Sequence, residues 1–104
     1  MITFKESPIF TKYVDKYLND DEYATFQWEL LTHPELGVLI PGSGGLRKIR
    51  WKKQHGGKRG GYRIIYYWRN QQGEIWLLTI YAKNEVENIS ATVLRQIKED
   101  FENE

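Results

Sequence analysis

A chain of 104 residues has the size of one domain, and with no cysteine it has neither a disulfide framework nor a thiolate metal site. No run of about 18 apolar residues is present, which excludes a membrane-spanning helix. The net charge of +1 hides a segregated pattern: residues 1–35 carry three Lys/Arg and seven acids, residues 36–69 nine Lys/Arg and no acid, and residues 70–104 three Lys/Arg and seven acids.

Residues 2–6 read as a short opening strand. Ser7-Pro8 then has the signature of a helix start, with Ser as cap and Pro at the first helical position. Phe10, Tyr13, Val14, Tyr17 and Leu18 follow at helical spacing and give one apolar face. Asn19-Asp20-Asp21-Glu22 reads as a break and a new cap. Tyr23, Phe26, Leu30 and Leu31 continue as a second helix, which Pro34 limits.

Residues 36–45 form a Gly/Pro-containing connection expected to be flexible. Leu46 to Lys53 reads as a strand, whose period of two places Lys48 and Arg50 on one face and Ile49 and Trp51 on the other. Residues 54–61 form a basic glycine-rich loop. Tyr62 to Arg69 is a β-prone strand, Asn70 to Gly73 a hairpin connection, and Ile75 to Lys83 a strand apolar on both faces. Ser90 caps a last helix, with Ile89 and Leu94 spaced as a hydrophobic staple and Leu94, Ile97 and Phe101 on its inner face. The order β-α-α-β-β-β-α predicts an α+β domain spanning 1–104, with helices packed on one face of a mostly antiparallel sheet. The other face is then open and carries the basic residues.

Most familiar motifs fail. Gly56-Gly57-Lys58-Arg59 lacks the earlier glycine of a phosphate loop, since Lys52 stands there, and Arg59 replaces the required Ser/Thr. Gly42-Ser43-Gly44 is too short for a nucleophile elbow. His33 and His55 are the only histidines and make no zinc pattern. Glu85 and Glu87 read as a solvated turn before a cap. No acidic cluster of a metal nuclease is present, and no cofactor is implied.

The basic strands remain. Lys48, Arg50, Arg63 and Lys83 come from three successive strand-like segments, close enough in an antiparallel sheet to converge on one phosphate. RNA cleavage requires deprotonating a 2′-hydroxyl, neutralising a developing oxyanion and protonating the leaving oxygen. Arginine suits the second task, because its fork matches phosphate and stays charged. Lysine serves as acid or base when its pKa falls, and nearby cations and partial burial both push that way. Lys52, Lys58 and Arg59 add backbone-binding charge. Tyr62, Tyr66, Tyr67, Tyr81 and Trp51 offer rings for base stacking. On chemistry alone, a catalytic face and a face that only binds nucleic acid or acidic partners stand equal.

Three blocks carry a resemblance. Gly44-Gly-Leu-Arg-Lys-Ile-Arg50, Gly57-Lys-Arg-Gly-Gly-Tyr-Arg-Ile-Ile-Tyr-Tyr67 and Leu77-Leu-Thr-Ile-Tyr-Ala-Lys-Asn-Glu85 resemble the RelE/HigB superfamily of toxins from type II toxin–antitoxin systems, closest to its HigB branch. The likeness covers nearly the whole chain. It implies a compact β-α-α-β-β-β fold and a metal-independent, ribosome-dependent endoribonuclease that cuts mRNA in the A site. It also implies neutralisation by a cognate antitoxin, expected to be a helix-turn-helix protein through whose complex operator DNA is met only indirectly. Lys48, Arg50 and Arg63 match three of the family's working positions. The family's later arginine is replaced, its Gly-Lys-Arg reading here as Ala82-Lys83-Asn84, with Lys83 as a substitute. The family's C-terminal tyrosine is missing, with Tyr81 as a possible stand-in for stacking. The opening segment lacks the charged and apolar regions of a signal peptide, and a cytoplasmic location is expected. The alternatives are a gyrase-poisoning toxin of the same fold, against which the retained Lys48, Arg50 and Arg63 argue, and a non-catalytic RNA-binding module.

Overall fold

The structure is a computed structural model, which describes residues 1–52, 61–86 and 88–104. Strand β1 (Thr3–Glu6) leads into helices α1 (Pro8–Tyr17) and α2 (Asp20–Thr32). Strands β2 (Val38–Leu39), β3 (Leu46–Trp51), β4 (Tyr62–Arg69) and β5 (Glu74–Ala82) follow, and helix α3 (Ala91–Glu102) ends the chain. The sheet order is β1-β5-β4-β3-β2, with β1 parallel to β5 and the other pairs antiparallel. This is an α+β fold on a mixed, mostly antiparallel sheet, as the sequence pattern predicts.

The helix boundaries follow from their caps. Ser7 Oγ accepts from the Phe10 amide at 3.1 Å and donates to the Leu78 carbonyl at 2.7 Å, so one buried hydroxyl both starts α1 and ties it to β5. Asn19 and Glu22 form a reciprocal capping box that restarts the chain as α2. Ser90 caps α3 through the Val93 amide. Asn70–Gln72 forms a single 3-10 turn, closed by Gly73 at φ 63°, a left-handed position that suits glycine.

Two features depart from the sequence expectation. The 36–45 connection contains the short strand β2 and is not loose. Ser43 Oγ donates to the Ile40 carbonyl at 2.6 Å and accepts from the Leu46 amide at 3.0 Å, and Ser43 is fully buried. From α3, Arg95 donates to the Gly42 carbonyl at 2.8 Å and Lys98 to that of Gly44 at 3.3 Å. A two-residue strand flanked by turns offers too short a pattern to recognise.

Secondly, the helices do not all share one face. Phe10, Val14, Leu18, Phe26 and Leu30 of α1 and α2 pack with Ile49, Ile64, Tyr66, Ile75, Leu77 and Ile80. On the opposite face Leu94, Ile97 and Phe101 of α3 pack with Leu46, Ile65, Trp76, Leu78 and Tyr81. The central strands are apolar on both sides, so both sides need cover. The Phe101 ring meets Trp76 edge-on at 5.2 Å, and Lys98 lies over the Tyr67 ring at 4.2 Å. These contacts are at the Leu46–Tyr67–Trp76 end of the sheet, away from Arg50 and Arg63.

Candidate nucleic-acid interface

The register places the basic residues. Arg50 of β3 is directly opposite Arg63 of β4, which is directly opposite Tyr81 of β5. Side chains at directly paired positions share a face, so the three form one row across three strands. Lys48 heads the neighbouring row, opposite Ile65. By strand alternation Lys48 and Arg50 share a face, as the spacing predicts, with Arg63 beside them, but it is the face that α3 packs on rather than one left bare of helices.

The members of the row differ in burial. Arg50 is exposed and Lys48 half-buried, whereas Arg63 is only 6% exposed. A buried guanidinium is held by its surroundings. Arg63 donates weakly to the Tyr62 carbonyl at 3.4 Å. Burial raises the Tyr81 phenol above its ordinary pKa and the Arg63 charge pulls it back, a sign that ring and guanidinium are close. The row is thus graded, from a fixed arginine within the sheet to a solvent-facing arginine at its margin.

The other expected positions divide. Lys52 is exposed just beyond the end of β3. Lys58 and Arg59 lie outside the described residues. Lys83 does not belong to β5, which ends at Ala82, and stands exposed in the following turn. Its amide donates to the Gly61 carbonyl at 3.4 Å, which anchors the backbone of the turn.

The stacking rings are a clearer correction. Tyr62 is on the α1 face, one residue out of phase with Arg63, and its ring is buried 5.0 Å from that of Tyr17. Trp51 packs edge-on against Phe26 at 5.2 Å on that same face. Tyr66 is fully buried, and its hydroxyl donates to the Pro34 carbonyl at 2.7 Å and accepts from the Gly37 amide at 2.9 Å. Tyr81 shares the face of Arg63 but is 6% exposed and belongs to the core under α3. Tyr67 is covered by Lys98. These rings build the core and its margins, so a base would find charge here rather than an open aromatic platform.

Not all the basic block serves the row. Arg47 donates to the carbonyls of Glu35 and Gly37 at 3.2 and 2.8 Å and pairs with the Glu35 carboxylate at 3.6 Å. Arg69 pairs with Glu74 at 3.2 Å and lies over the Trp76 ring. Both hold loops and strand ends. Beside the row, a cleft of about 610 Å3 runs along the β2–β3 margin, with Leu36, Val38, Leu39 and Ile40 on its walls and Lys48 and Arg50 at its side. Sequence reading missed this cleft, because it needs β2 to be recognised. Among the described residues no group of three or more His, Cys, Asp or Glu is placed to hold a metal ion, and no helix is long and apolar enough to cross a membrane.

No protein-family model matches the chain. Among solved structures, the fold is similar to that of a double arginine-to-alanine mutant of the E. coli toxin RelE in the free state, with a TM-score of 0.62 and 16% sequence identity over 93% of this chain and 96% of that one. The chain therefore has a RelE-like fold.

Proposed function

We propose that the chain is a toxin of a type II toxin–antitoxin system, formed by one domain over residues 1–104, nearest the HigB branch. It acts in the cytoplasm as an endoribonuclease that cleaves ribosome-bound mRNA in the A site. The observation that carries this reading is the aligned row Arg50–Arg63–Tyr81 with Lys48 beside it. A RelE-like fold supports it, because these positions match the superfamily blocks noted in the sequence.

The chemistry follows from the row. Arg63, fixed in the sheet, and Arg50, at its margin, hold the scissile phosphate and neutralise the charge that develops on its oxygens. Preorganised donors are effective because they need not reorient as the charge appears. Lys48, on the same strand as Arg50, takes the 2′-hydroxyl proton or supplies one to the leaving oxygen, and Lys83 is the next residue in reach for the second proton. Tyr81 supports Arg63 from below. Carboxylates and metal are not required for these steps. Lys52, Lys58 and Arg59 hold RNA or ribosomal backbone, where loose placement is tolerated. A cognate antitoxin of helix-turn-helix type neutralises the protein and carries it to operator DNA.

The test is expression of the chain in growing bacteria, followed by mapping of mRNA ends on isolated ribosomes. Arrest of growth with new ends in the A-site codon, absent for Arg63→Ala, is expected. Arrest with intact mRNA and broken DNA would instead assign a gyrase poison, and no arrest a simple binding module.

A further inference from the structure

Helix α1 is fastened at its start to β5 and at its end to the turn that follows β5. At the start the Ser7 hydroxyl donates to the Leu78 carbonyl at 2.7 Å. At the last turn, roughly 15 Å along the ten-residue helix, the Tyr17 hydroxyl donates to one carboxylate oxygen of Glu85 at 2.8 Å. Lys16 Nζ lies 3.3 Å from the other oxygen. Glu85 stands in the turn after β5, two residues beyond Lys83. The main chain also holds this turn, through the Lys83 amide to the Gly61 carbonyl at 3.4 Å and the Glu85 and Val86 amides to the Ala82 carbonyl at 3.0 and 3.1 Å. The bond from Lys83 itself is long, so the main chain fixes that residue weakly. The Tyr17 ring lies 5.0 Å from that of Tyr62. Tyr62 precedes Arg63 and is paired with Ala82, which precedes Lys83. One residue of α1 therefore contacts both strand ends from which Arg63 and Lys83 extend.

We propose that Tyr17 is a positioning residue, which through Glu85 fixes the turn carrying Lys83 and keeps the Glu85 carboxylate away from that lysine. Both effects have a physical reason. A proton carrier must be held within hydrogen-bond reach of its target, and an exposed turn needs a side-chain tie to hold one there. A free carboxylate two residues from Lys83 would also compete with phosphate for the ammonium group. With both of its oxygens engaged by α1, Glu85 is withdrawn from that competition. Among the described residues Lys83 makes no ion pair. The Lys16 and Glu85 side chains are 57% and 47% exposed, and exposed ion pairs contribute little. The tie therefore depends on the Tyr17 hydroxyl, whose direction is set by a half-buried ring packed on Tyr62. That Lys83 then moves a proton in RNA cleavage rests on the proposed function, whereas the ordering of the turn does not.

Tyr17→Phe removes the hydroxyl and keeps the ring on Tyr62. In the full chain, the Lys83 and Val86 amides should then lose hydrogen-exchange protection by about fivefold, the scale of one net hydrogen bond. Glu85→Ala should do the same. Glu85→Gln, whose amide oxygen still accepts from Tyr17, should restore most of the protection. On ribosomes, Tyr17→Phe should lower the saturated cleavage rate by about the same factor and leave ribosome affinity unchanged. In a Lys83→Ala background it should have no further effect, because residues acting through one another are not additive. Unchanged Lys83 exchange in Tyr17→Phe, or equal exchange in Glu85→Gln and Glu85→Ala, would overturn the proposal. So would an unchanged saturated rate for Tyr17→Phe in a chain that cuts mRNA, or a full further loss of rate when Lys83 is already alanine, which marks packing alone. If the wild-type chain cuts no mRNA, the nuclease reading falls, and the exchange measurements still decide for or against the tie.

Discussion

Arg50 and Arg63 face each other directly across β3 and β4 on one face of the sheet. Strand register thus brings two guanidinium groups to one spot, where each can present its fork of donors to an anion. Under the proposed function that anion is the scissile phosphate.

Arg63→Ala should lower the cleavage rate on ribosomes by on the order of 10²-fold or more, the usual loss for a fixed transition-state donor. Arg63→Lys keeps the charge without the fork and should recover only part of the rate. Arg50→Thr should also lose activity, and an unchanged rate in that variant would remove Arg50 from the phosphate seat.

Much of this arrangement was legible in the sequence. The alternation of Lys48, Ile49, Arg50 and Trp51 fixed which residues share a face, and the caps at Ser7, Asn19 and Ser90 are those expected from residue type alone. Three things were not legible. Strand β2 is two residues long and carries no periodic signal. The side of the sheet that α3 covers depends on tertiary packing, which the pattern of a single strand does not encode. Residue type alone offers the aromatic residues as stacking surfaces, but ring burial is decided by face. Tyr62 precedes Arg63 by one position and so points to the opposite side, into the α1 core. The distinction between Arg47 and its neighbours was also invisible, since only the fold brings the Glu35 and Gly37 carbonyls to its guanidinium.

Lys48→Ala is expected to lower the rate and to flatten one limb of the pH–rate curve, because a proton carrier leaves its signature in that curve. A variant with a lower rate and an unaltered curve would demote Lys48 to a phosphate contact. Lys83→Ala would then be the variant to carry the pH signature, from its place in the turn after β5.

Changing Lys58 and Arg59 together to Ala should weaken ribosome binding while leaving the rate at saturating ribosome nearly intact. Both lie between glycine pairs, and catalysis demands placement to roughly 0.5 Å, whereas backbone phosphate contacts do not. Binding should also lose part of its salt dependence. A collapse of the saturated rate would move the two residues into the catalytic set.

Acid should loosen the hairpin end of the sheet before the basic row. The Glu74 carboxyl is held below its ordinary value of 4.5, first by the hydrogen bond from Lys5, then by the Trp76 indole and the charges of Lys5 and Arg69. A carboxyl depressed in the folded state stabilises the fold above its unfolded pKa, and this contribution is lost as pH falls through the folded value. Stability should therefore drop below about pH 4.5, and Glu74→Gln should flatten that drop. Glu85, held low by the Tyr17 hydroxyl and then by Lys16, acts with the same sign from a more exposed position. An unchanged acid limb in Glu74→Gln would show that other carboxyls govern it.

Tyr66→Phe tests how the segment before β2 is held. Tyr66 projects from the middle of β4 into the α1 face, and its hydroxyl bridges the Pro34 carbonyl and the Gly37 amide. Gly37 is buried against it, and a Cβ at Gly37 would approach the Tyr66 ring to 2.8 Å and the Arg47 Cβ to 3.0 Å. Glycine is therefore demanded by space. Removing the hydroxyl leaves the buried Gly37 amide without its acceptor, a penalty of roughly 1–3 kcal/mol. The urea midpoint should fall accordingly with little change in slope. The same change should free the 34–39 segment while the saturated cleavage rate holds, because Arg63 and Lys48 do not depend on that hydroxyl. Equal loss of stability and of saturated rate would mean that the β2 segment and the basic row form one unit rather than two.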